Sequence, residues 1–418
     1  MTDTSSIQLP WAVWEQQLLE RLDEFGITRV ADTTGMDSLG VPTASATKPG
    51  TSDVIWVYSG KGRSQAQARV TAIMECLERT GGLWPSEPSW ITETPRVLRR
   101  THEIWEAPRF TYRQRPGLGD DAPQVWAEAT QLRPTPGRVM VPADLAYNGR
   151  RPAGLATSPV MLSTSNGLAA AFTTDAALRH GLAEVIERDI ISFAEVRASH
   201  LGYRFLATIA EQLGISTAAL ERYEDNTELA VTIDQATLPP DLADLVTRYR
   251  NAGLELVLKQ LPNNYGLPAY GVAAVQQVDM TRYLGCAGYA VRTNSDIAVE
   301  AALLELAQTR ATDLQGARED RHEVEKKRLS EKPKNHWMAT AGASATPYEP
   351  SGTDPSLSHL LDACAQAGLP EVAYTEFDGW PGISVVRVLV PHAETWHITA
   401  GWSELGPRLR AATNSRSA

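Results

Sequence analysis

Apolar residues recur at helical spacing in three stretches, and each stretch sets a polar pair beside its apolar stripe. From about Ser64 to Thr80, Val70, Ile73, Met74 and Leu77 form one face. Ser64 stands where a side-chain oxygen can accept a free N–H of the first turn, and Gly81 and Gly82 end the pattern. Glu75 and Glu78 are three apart, hence neighbours on the helix surface, with Thr71 one turn before and Arg79 just after. From Thr174 to Arg197 the stripe is Leu178, Leu182, Val185, Ile186, Ile190 and Phe193, and the pair is Glu184 and Glu187, followed by Arg188. A third helix, expected from about Ser295 to Thr309, carries Glu305 and Gln308, with Arg310 just beyond.

Elsewhere the pattern is mixed. Trp11 to Phe25 reads as one helix with Trp14, Leu18, Leu19 and Leu22 on a side, ended by Gly26. Ile27 to Ala31 and Val54 to Ser59 read as strands, the second leading into Gly60-Lys61-Gly62, with a turn and an extended piece from Gly35 to Pro42 between them. The Pro- and Trp-rich segment from Trp84 to Gly154 predicts loops and short strands, including Gln124 to Ala129 and Arg138 to Val141. A strand is expected from Leu162 to Ser165, ahead of Asn166-Gly167. Residues 203–290 suit a strand–helix–strand–strand unit: Leu229 to Ile233, a helix from Pro240 to Asn251, Leu254 to Leu261 and Ala269 to Val278. Thr312 to Lys334 is dense in charge, a helical face or a loop; His336 to Pro355 is small and polar and reads as a linker; Val385 to Val390 is a buried strand. The fold class expected is α+β, with mixed or antiparallel sheets packed by helices.

At 418 residues the chain is too long for one simple core, so several lobes are expected. We divide it into an N-terminal helix and strand segment at 1–55, a catalytic region at 56–400 and a C-terminal tail at 401–418. The net charge of -11 argues against binding nucleic acid, which needs a basic face. Cys76, Cys286 and Cys364 are odd in number and far apart, with neither CxxC nor His partner spacing, so neither a zinc site nor a disulfide framework is expected. Reduced thiols fit a cytoplasmic protein. The chain has no run of 18 apolar residues and no signal-peptide pattern at its N-terminus, so no membrane span is expected.

The chemistry rests on the polar pairs. Carboxylates beside a buried seam are costly unless paired or bound to a metal. A cluster of hard oxygen ligands suits magnesium, which takes carboxylates together with substrate phosphates. Around Lys61 the Walker spacing fails, since Ile55 stands where its first Gly belongs and Gly62 where Ser or Thr belongs. Gly60-Lys61-Gly62 before a helix still offers free N–H groups, a positive helix end and one Lys, although such a sequence is more often a plain turn. His180 and His200 read as structural, and Cys76 as packing.

Six motifs fall in one order: the Gly-Lys-Gly; Thr71-x3-Glu75-x2-Glu78-Arg79; Ser165-Asn166-Gly167-Leu168-Ala169; Glu184-x2-Glu187-Arg188; Glu305-x2-Gln308; and Gly316-Ala317-Arg318-Glu319-Asp320. In this order, over roughly residues 25–400, the chain resembles the YcaO family of ATP-dependent enzymes that modify peptide backbones. Thr71 stands where the family usually has Ser. The resemblance implies a YcaO-type fold whose ATP site lies between the helices with the Glu-x-x-Glu pairs. It implies ATP and Mg2+ as cofactors, with Glu75, Glu78, Glu184, Glu187 and Glu305 at the metal. Lys61, Thr71, Glu75, Glu78, Arg79, Asn166, Glu184, Glu187, Arg188, Glu305, Gln308 and Arg318 would lie at the nucleotide, with Arg318 and Gln308 also in the chemistry. In such enzymes a nucleophile adds to a peptide carbonyl and the oxygen is then phosphorylated. The expected product is an azoline, first a thiazoline from Cys, in a ribosomally made precursor peptide. A thioamide made with a TfuA-like sulfur-delivery partner, a macrocyclic amidine and a non-catalytic nucleotide-binding accessory role are the alternatives. The N-terminal WAVWEQQLLERL lacks the family's Lys and hydroxyl, and the ending ELGPRLRAATNSRSA lacks the Pro-x-Pro-x-Pro of many azoline formers. A stand-alone enzyme is therefore expected, with a leader-binding partner and a homo-oligomer both compatible.

Overall fold

Each of the three long helices lies on a sheet of its own, and the sheets meet around one cleft. The computed structural model describes residues 10–87, 89–111, 119–155, 157–161, 164–199, 230–277, 283–318, 338, 342, 344–396 and 405–414. Two short helices, α1 (Trp11–Leu19) and α2 (Leu22–Phe25), come first. The single helix expected there breaks at Arg21, whose backbone leaves the helical region at φ -111 and ψ 11. Strands β1 (Arg29–Asp32), β2 (Thr43–Thr47) and β3 (Val57–Lys61) form an antiparallel sheet in that order, continuous across residue 55. Helix α3 (Gln65–Gly81) packs on it. Ser64 caps α3 by accepting the Gln67 N–H. Ile73 and Leu77 are fully buried, each worth about 1.5–3 kcal/mol of apolar burial.

Strand β4 (Trp90–Glu93), helix α4 (Pro95–Leu98), strands β5 (Gln124–Arg133) and β6 (Gly137–Pro142) and helix α5 (Ala143–Ala146) build the Trp-rich region, whose core holds Trp84, Trp105 and Phe110. Strand β7 (Leu168–Ala171) then leads into α6 (Thr174–Ser199). Of the strand expected from Leu162 to Ser165, Leu162 and Ser163 lie outside the described residues and Thr164 and Ser165 belong to no strand; Leu168 donates to the Ser165 carbonyl and closes a turn ahead of β7.

Next come β8 (Val231–Asp234), α7 (Pro240–Asn251), β9 (Glu255–Gln260), β10 (Ala269–Gln277) and β11 (Tyr283–Val291), matching the unit read from the sequence, with β11 added. Helix α8 (Ser295–Gln315) packs on β10 and β11. It runs past the expected Thr309 to Gly316, which adopts the left-handed conformation that ends it. The remainder of the charge-dense segment, from Glu319 on, lies outside the described residues.

The expected linker contains a strand, β12 (Thr346–Pro347), parallel to β8. Tyr348 anchors it, buried with its hydroxyl on Asp296 and Ser295; a single aromatic outweighs the small polar residues around it. Helix α9 (Leu357–Gln366), strands β13 (Val372–Trp380) and β14 (Ile383–Leu389) and helix α10 (Pro407–Asn414) complete the described elements. The five-stranded sheet runs β11-β10-β9-β8-β12; the six-stranded one runs β4-β5-β13-β14-β7, with β6 also on β5. The C-terminal segment folds back: α10 docks on α6 through the Arg408–Asp189 ion pair, and buried Glu394 accepts the Gly406 and Leu409 N–H groups at its start.

Two glycines set the strand-to-helix distance. A Cβ on Gly60 of β3 would lie 2.2 Å from the Ala68 carbonyl oxygen of α3, and one on Gly288 of β11 would lie 2.3 Å from that of Ala302 in α8. Only a residue without a side chain allows such close packing.

Candidate active site

The Gly-Lys-Gly belongs to a strand edge and not to a phosphate cradle. Lys61 N–H is taken by Thr71 Oγ1 at 2.9 Å, and Gly62 N–H by the Pro42 carbonyl at 3.1 Å. The free donors expected here are thus occupied. Thr71, expected at the nucleotide, turns its hydroxyl to this backbone, 2.8 Å from Lys61 O. Arg79, also expected there, grips Asp53 through two hydrogen bonds of 2.9 and 2.8 Å, with the Asp53 side chain wholly buried. What the motif delivers to the cleft is the Lys61 ammonium, 3.4 Å from Glu305 Oε2.

The carboxylates of the three helices act on one another. Glu78 is pushed well above its ordinary range by burial, then by the charges of Glu75 and Glu184, against the pull of Arg79 and a backbone hydrogen bond from Ala170. Glu184 is raised by burial, partly offset by Arg188, and raised again by Glu75 and Glu305. Glu187 is raised by burial to about 7; it takes the Val291 N–H at 3.2 Å and lies 3.7 Å from both Arg188 and Arg292. Burial would also raise Glu305, but Lys61, Arg188 and Arg292 bring it below its ordinary value. All five carboxylates therefore share one electrostatic neighbourhood. Gln308 turns its amide to the Ser59 carbonyl of β3.

These charges are walled by protein yet reach water. Lys61 keeps 26% and Glu305 25% of its side chain exposed, and Arg188 and Glu184 keep 20% and 22%. Partial exposure of so many charges on three helices keeps them within reach of water and out of a sealed core. His180, one turn before Glu184, is exposed to the cleft. Crowding by the surrounding protein, with Arg292 and Lys61 near, lowers it to about 4, so its ring is neutral at pH 7. Asn166 is buried at the turn before β7, against Val185 and Val388. Arg318 is half-buried two residues past the end of α8, while its neighbours Glu319 and Asp320 lie outside the described residues. Arg310 pairs with Asp37 at 2.6 Å, away from the pairs.

A sequence profile described as YcaO cyclodehydratase, ATP- and Mg2+-binding, matches residues 59–394. The chain belongs to the YcaO family. It is an ATP-dependent peptide-modifying enzyme that works with Mg2+. A protein of Methanothermobacter thermautotrophicus without an assigned role is 28% identical to this YcaO protein over 94% of this chain and 96% of its own. A protein of Rhizobium leguminosarum bv. trifolii, described by its place in the tfuA 3' region, is 26% identical over 95% of this chain and 90% of its own. Among solved structures, a heterocyclase in complex with substrate and cofactor superposes with a TM-score of 0.70 at 16% identity. The match takes in 94% of this chain but 54% of that one, about half its length. The YcaO protein of Methanopyrus kandleri bound with AMPPCP and Mg2+ superposes with a TM-score of 0.64 at 21% identity, over 96% of this chain and 95% of that one. These two likenesses show the fold.

The donor set fits magnesium. Glu75 and Glu184 both raise Glu78, and Glu75 raises Glu184 as well, while Arg79 is shared with Asp53 and Arg188, 3.6 Å from Glu184, offsets only part of the rise there. Among the described residues no three His, Cys, Asp or Glu side chains stand grouped so as to hold a metal ion by themselves; magnesium takes carboxylates together with water and substrate phosphate oxygens. Three participants escaped the sequence: Arg292, which faces Glu187 from the end of β11; Arg387, fully buried on β14 and acting on Glu184; and Asp53, which holds Arg79. Only Arg292 left a trace, as a basic residue ending a strand before a capped helix. No helix of the described residues is long and apolar enough to cross a membrane.

Proposed function

We propose that the chain activates a backbone amide of a ribosomally made peptide with ATP, and that the first product is an azoline, a thiazoline formed at Cys. The observation that supports it most is the joining, in one water-open cleft, of an acidic cluster with the cations Lys61, Arg188 and Arg292. Phosphoryl transfer asks for positioning and charge neutralisation more than for covalent catalysis. Glu75, Glu78, Glu184, Glu187 and Glu305 are the residues to hold magnesium, which when bound supplies positive charge against the phosphate oxygens. Lys61, Arg188, Arg292 and Arg318 are assigned to the negative charge of the phosphates.

In the reaction the peptide thiol gives up its proton to solvent and, as thiolate, adds to the carbon of the preceding amide. The oxygen so charged takes the γ-phosphoryl group, and ADP leaves. The C–O bond then breaks, phosphate departs and the amide nitrogen loses its proton, leaving C=N. The peptide has lost the elements of water: its amide oxygen leaves in the phosphate, and the protons of the thiol and the amide nitrogen pass to solvent. The chain offers no sulfur nucleophile of its own: Cys76, Cys286 and Cys364 are buried, and burial raises the thiols of Cys76 and Cys364. A cysteine in the peptide needs no further protein. The relative from the tfuA 3' region favours a second product, a thioamide, in which sulfide brought by a TfuA-like partner replaces the amide oxygen.

Mass spectrometry of a Cys-containing precursor with the protein, ATP and Mg2+ tests this. Loss of one water at Cys is expected. Exchange of oxygen for sulfur, seen only with added sulfide, would replace the azoline by the thioamide. Water loss joining a backbone amine to an amide, with Cys untouched, would replace it by the amidine.

A further inference from the structure

The cleft helices carry their polar pairs in one register. Ser64, Thr173 and Asn294 cap α3, α6 and α8, each accepting the N–H three residues on, from Gln67 at 3.2 Å, Ala176 at 3.2 Å and Ile297 at 3.1 Å. From cap to first Glu the interval is the same, 11 residues: Ser64 to Glu75, Thr173 to Glu184, Asn294 to Glu305. Four residues after each cap stands an alanine of 0% exposure, Ala68, Ala177 and Ala298. The strand before each helix, β3, β7 and β11, lies at the end of its sheet. The chain has thus built one strand–helix unit three times.

The second member of each pair reaches the open edge of the next unit's strand. Glu78 of α3 is held by the Ala170 backbone of β7. Glu187 of α6 takes the Val291 N–H of β11. Gln308 of α8 donates to the Ser59 carbonyl of β3, which returns to the first unit. Polarity explains why the third pair ends in Gln and not Glu. At the first two joints the strand offers an N–H, which a carboxylate accepts; at the third it offers a carbonyl, which needs a donor.

We infer that Gln308 is a positioning residue that closes this ring and holds β3, so that Lys61, two residues on and on the same side of the strand, stays at the cleft against Glu305. Thr312, one turn further along α8, adds a second grip, its Oγ1 lying 2.9 Å from Ser59 Oγ. This rests on the assignment of Lys61 to the nucleotide.

The test is calorimetry of the full chain with a non-hydrolysable ATP analogue and Mg2+, with thermal melts alongside. Lys61→Met weakens binding roughly tenfold or more. Gln308→Glu, which sets a carboxylate against the Ser59 carbonyl, and Gln308→Leu, which removes the donor, each weaken it roughly tenfold. In the Lys61→Met background neither costs anything further. Losses that add to that of Lys61→Met would overturn the inference, since Gln308 would then touch nucleotide or metal itself; so would unchanged affinity in both Gln308 variants. Unchanged affinity in Lys61→Met would instead overturn the assignment of Lys61. Should the Gln308 variants not fold, Thr312→Val carries the same test: a loss of about threefold, restored by Thr312→Ser and absent in the Lys61→Met background. A loss that Ser does not restore, or that persists in that background, overturns the inference.

Discussion

Glu78 and Glu305 sit in one cleft as members of like pairs, yet the protein moves their acidities in opposite directions. Both are desolvated, so burial does not separate them. The difference lies in the company. Glu78 faces Glu75 and Glu184, and the cation beside it, Arg79, is shared with Asp53. Glu305 faces Lys61, Arg188 and Arg292. One end of the cleft is short of positive charge and the other is supplied with it. A metal and a phosphate chain side by side require that division, and helix spacing alone does not create it. The cations that tip the balance come from the strands β3 and β11 as much as from the helices.

Removing the shared cation breaks the contrast most severely. Arg188 stands between Glu184, Glu187 and Glu305. Arg188→Met leaves buried carboxylates uncompensated, a loss of about 3 kcal/mol or more in stability, and ATP turnover should fall by about two orders of magnitude. Melting curves and phosphate release check both; unaltered turnover would return Arg188 to a structural role.

A paired substitution sharpens the contrast. Without Mg2+, Glu78→Gln should raise or preserve the melting temperature, since it removes a repelled charge, while affinity for Mg-ATP falls about tenfold. Glu305→Gln should lower the melting temperature of the same metal-free protein, by about 1 kcal/mol for the partly exposed Lys61 contact. Melts that move in the same direction would refute the division of the cleft.

The smallest effect is one of pH. A carboxylate raised on folding stabilises fully below its unfolded value, about 4.3, and that contribution disappears as pH rises through its folded value, about 7 for Glu187. Glu305, lowered on folding, acts in the opposite sense: its contribution is present above the unfolded value and is lost as pH falls through the folded one. Metal-free protein should therefore lose on the order of 2 kcal/mol between pH 5 and 8, and saturating Mg-ATP should flatten the decline. Denaturant titrations at several pH values measure it; a metal-free stability that rises with pH would contradict the raised acidities.

The helices were legible because their period, caps and terminal glycines are local, and the polar pairs followed from spacing alone. Ser64 caps where the sequence placed the start of its helix, whereas the third helix runs about two turns past its expected end at Thr309 before Gly316 stops it. What stayed hidden depends on partners distant in the chain. Arg79 looks like a phosphate ligand until Asp53, 26 residues earlier, is found beneath it. Gly60 and Gly62 suggest a loop, yet they are glycines because α3 lies too close for a side chain. Tyr348 and Arg408 turn an apparent linker and tail into docked pieces through single long-range contacts that no local window contains.

The buried thiols have a practical consequence. Cys76, Cys286 and Cys364 are the chain's complete set, with 0%, 4% and 0% exposure. Alkylating dyes should pass over the native protein, so a cysteine introduced at exposed Ile297 or Leu314, at either end of α8, would carry the label alone. Fluorescence from such a protein could follow, in real time and without background, how the helix moves when nucleotide arrives.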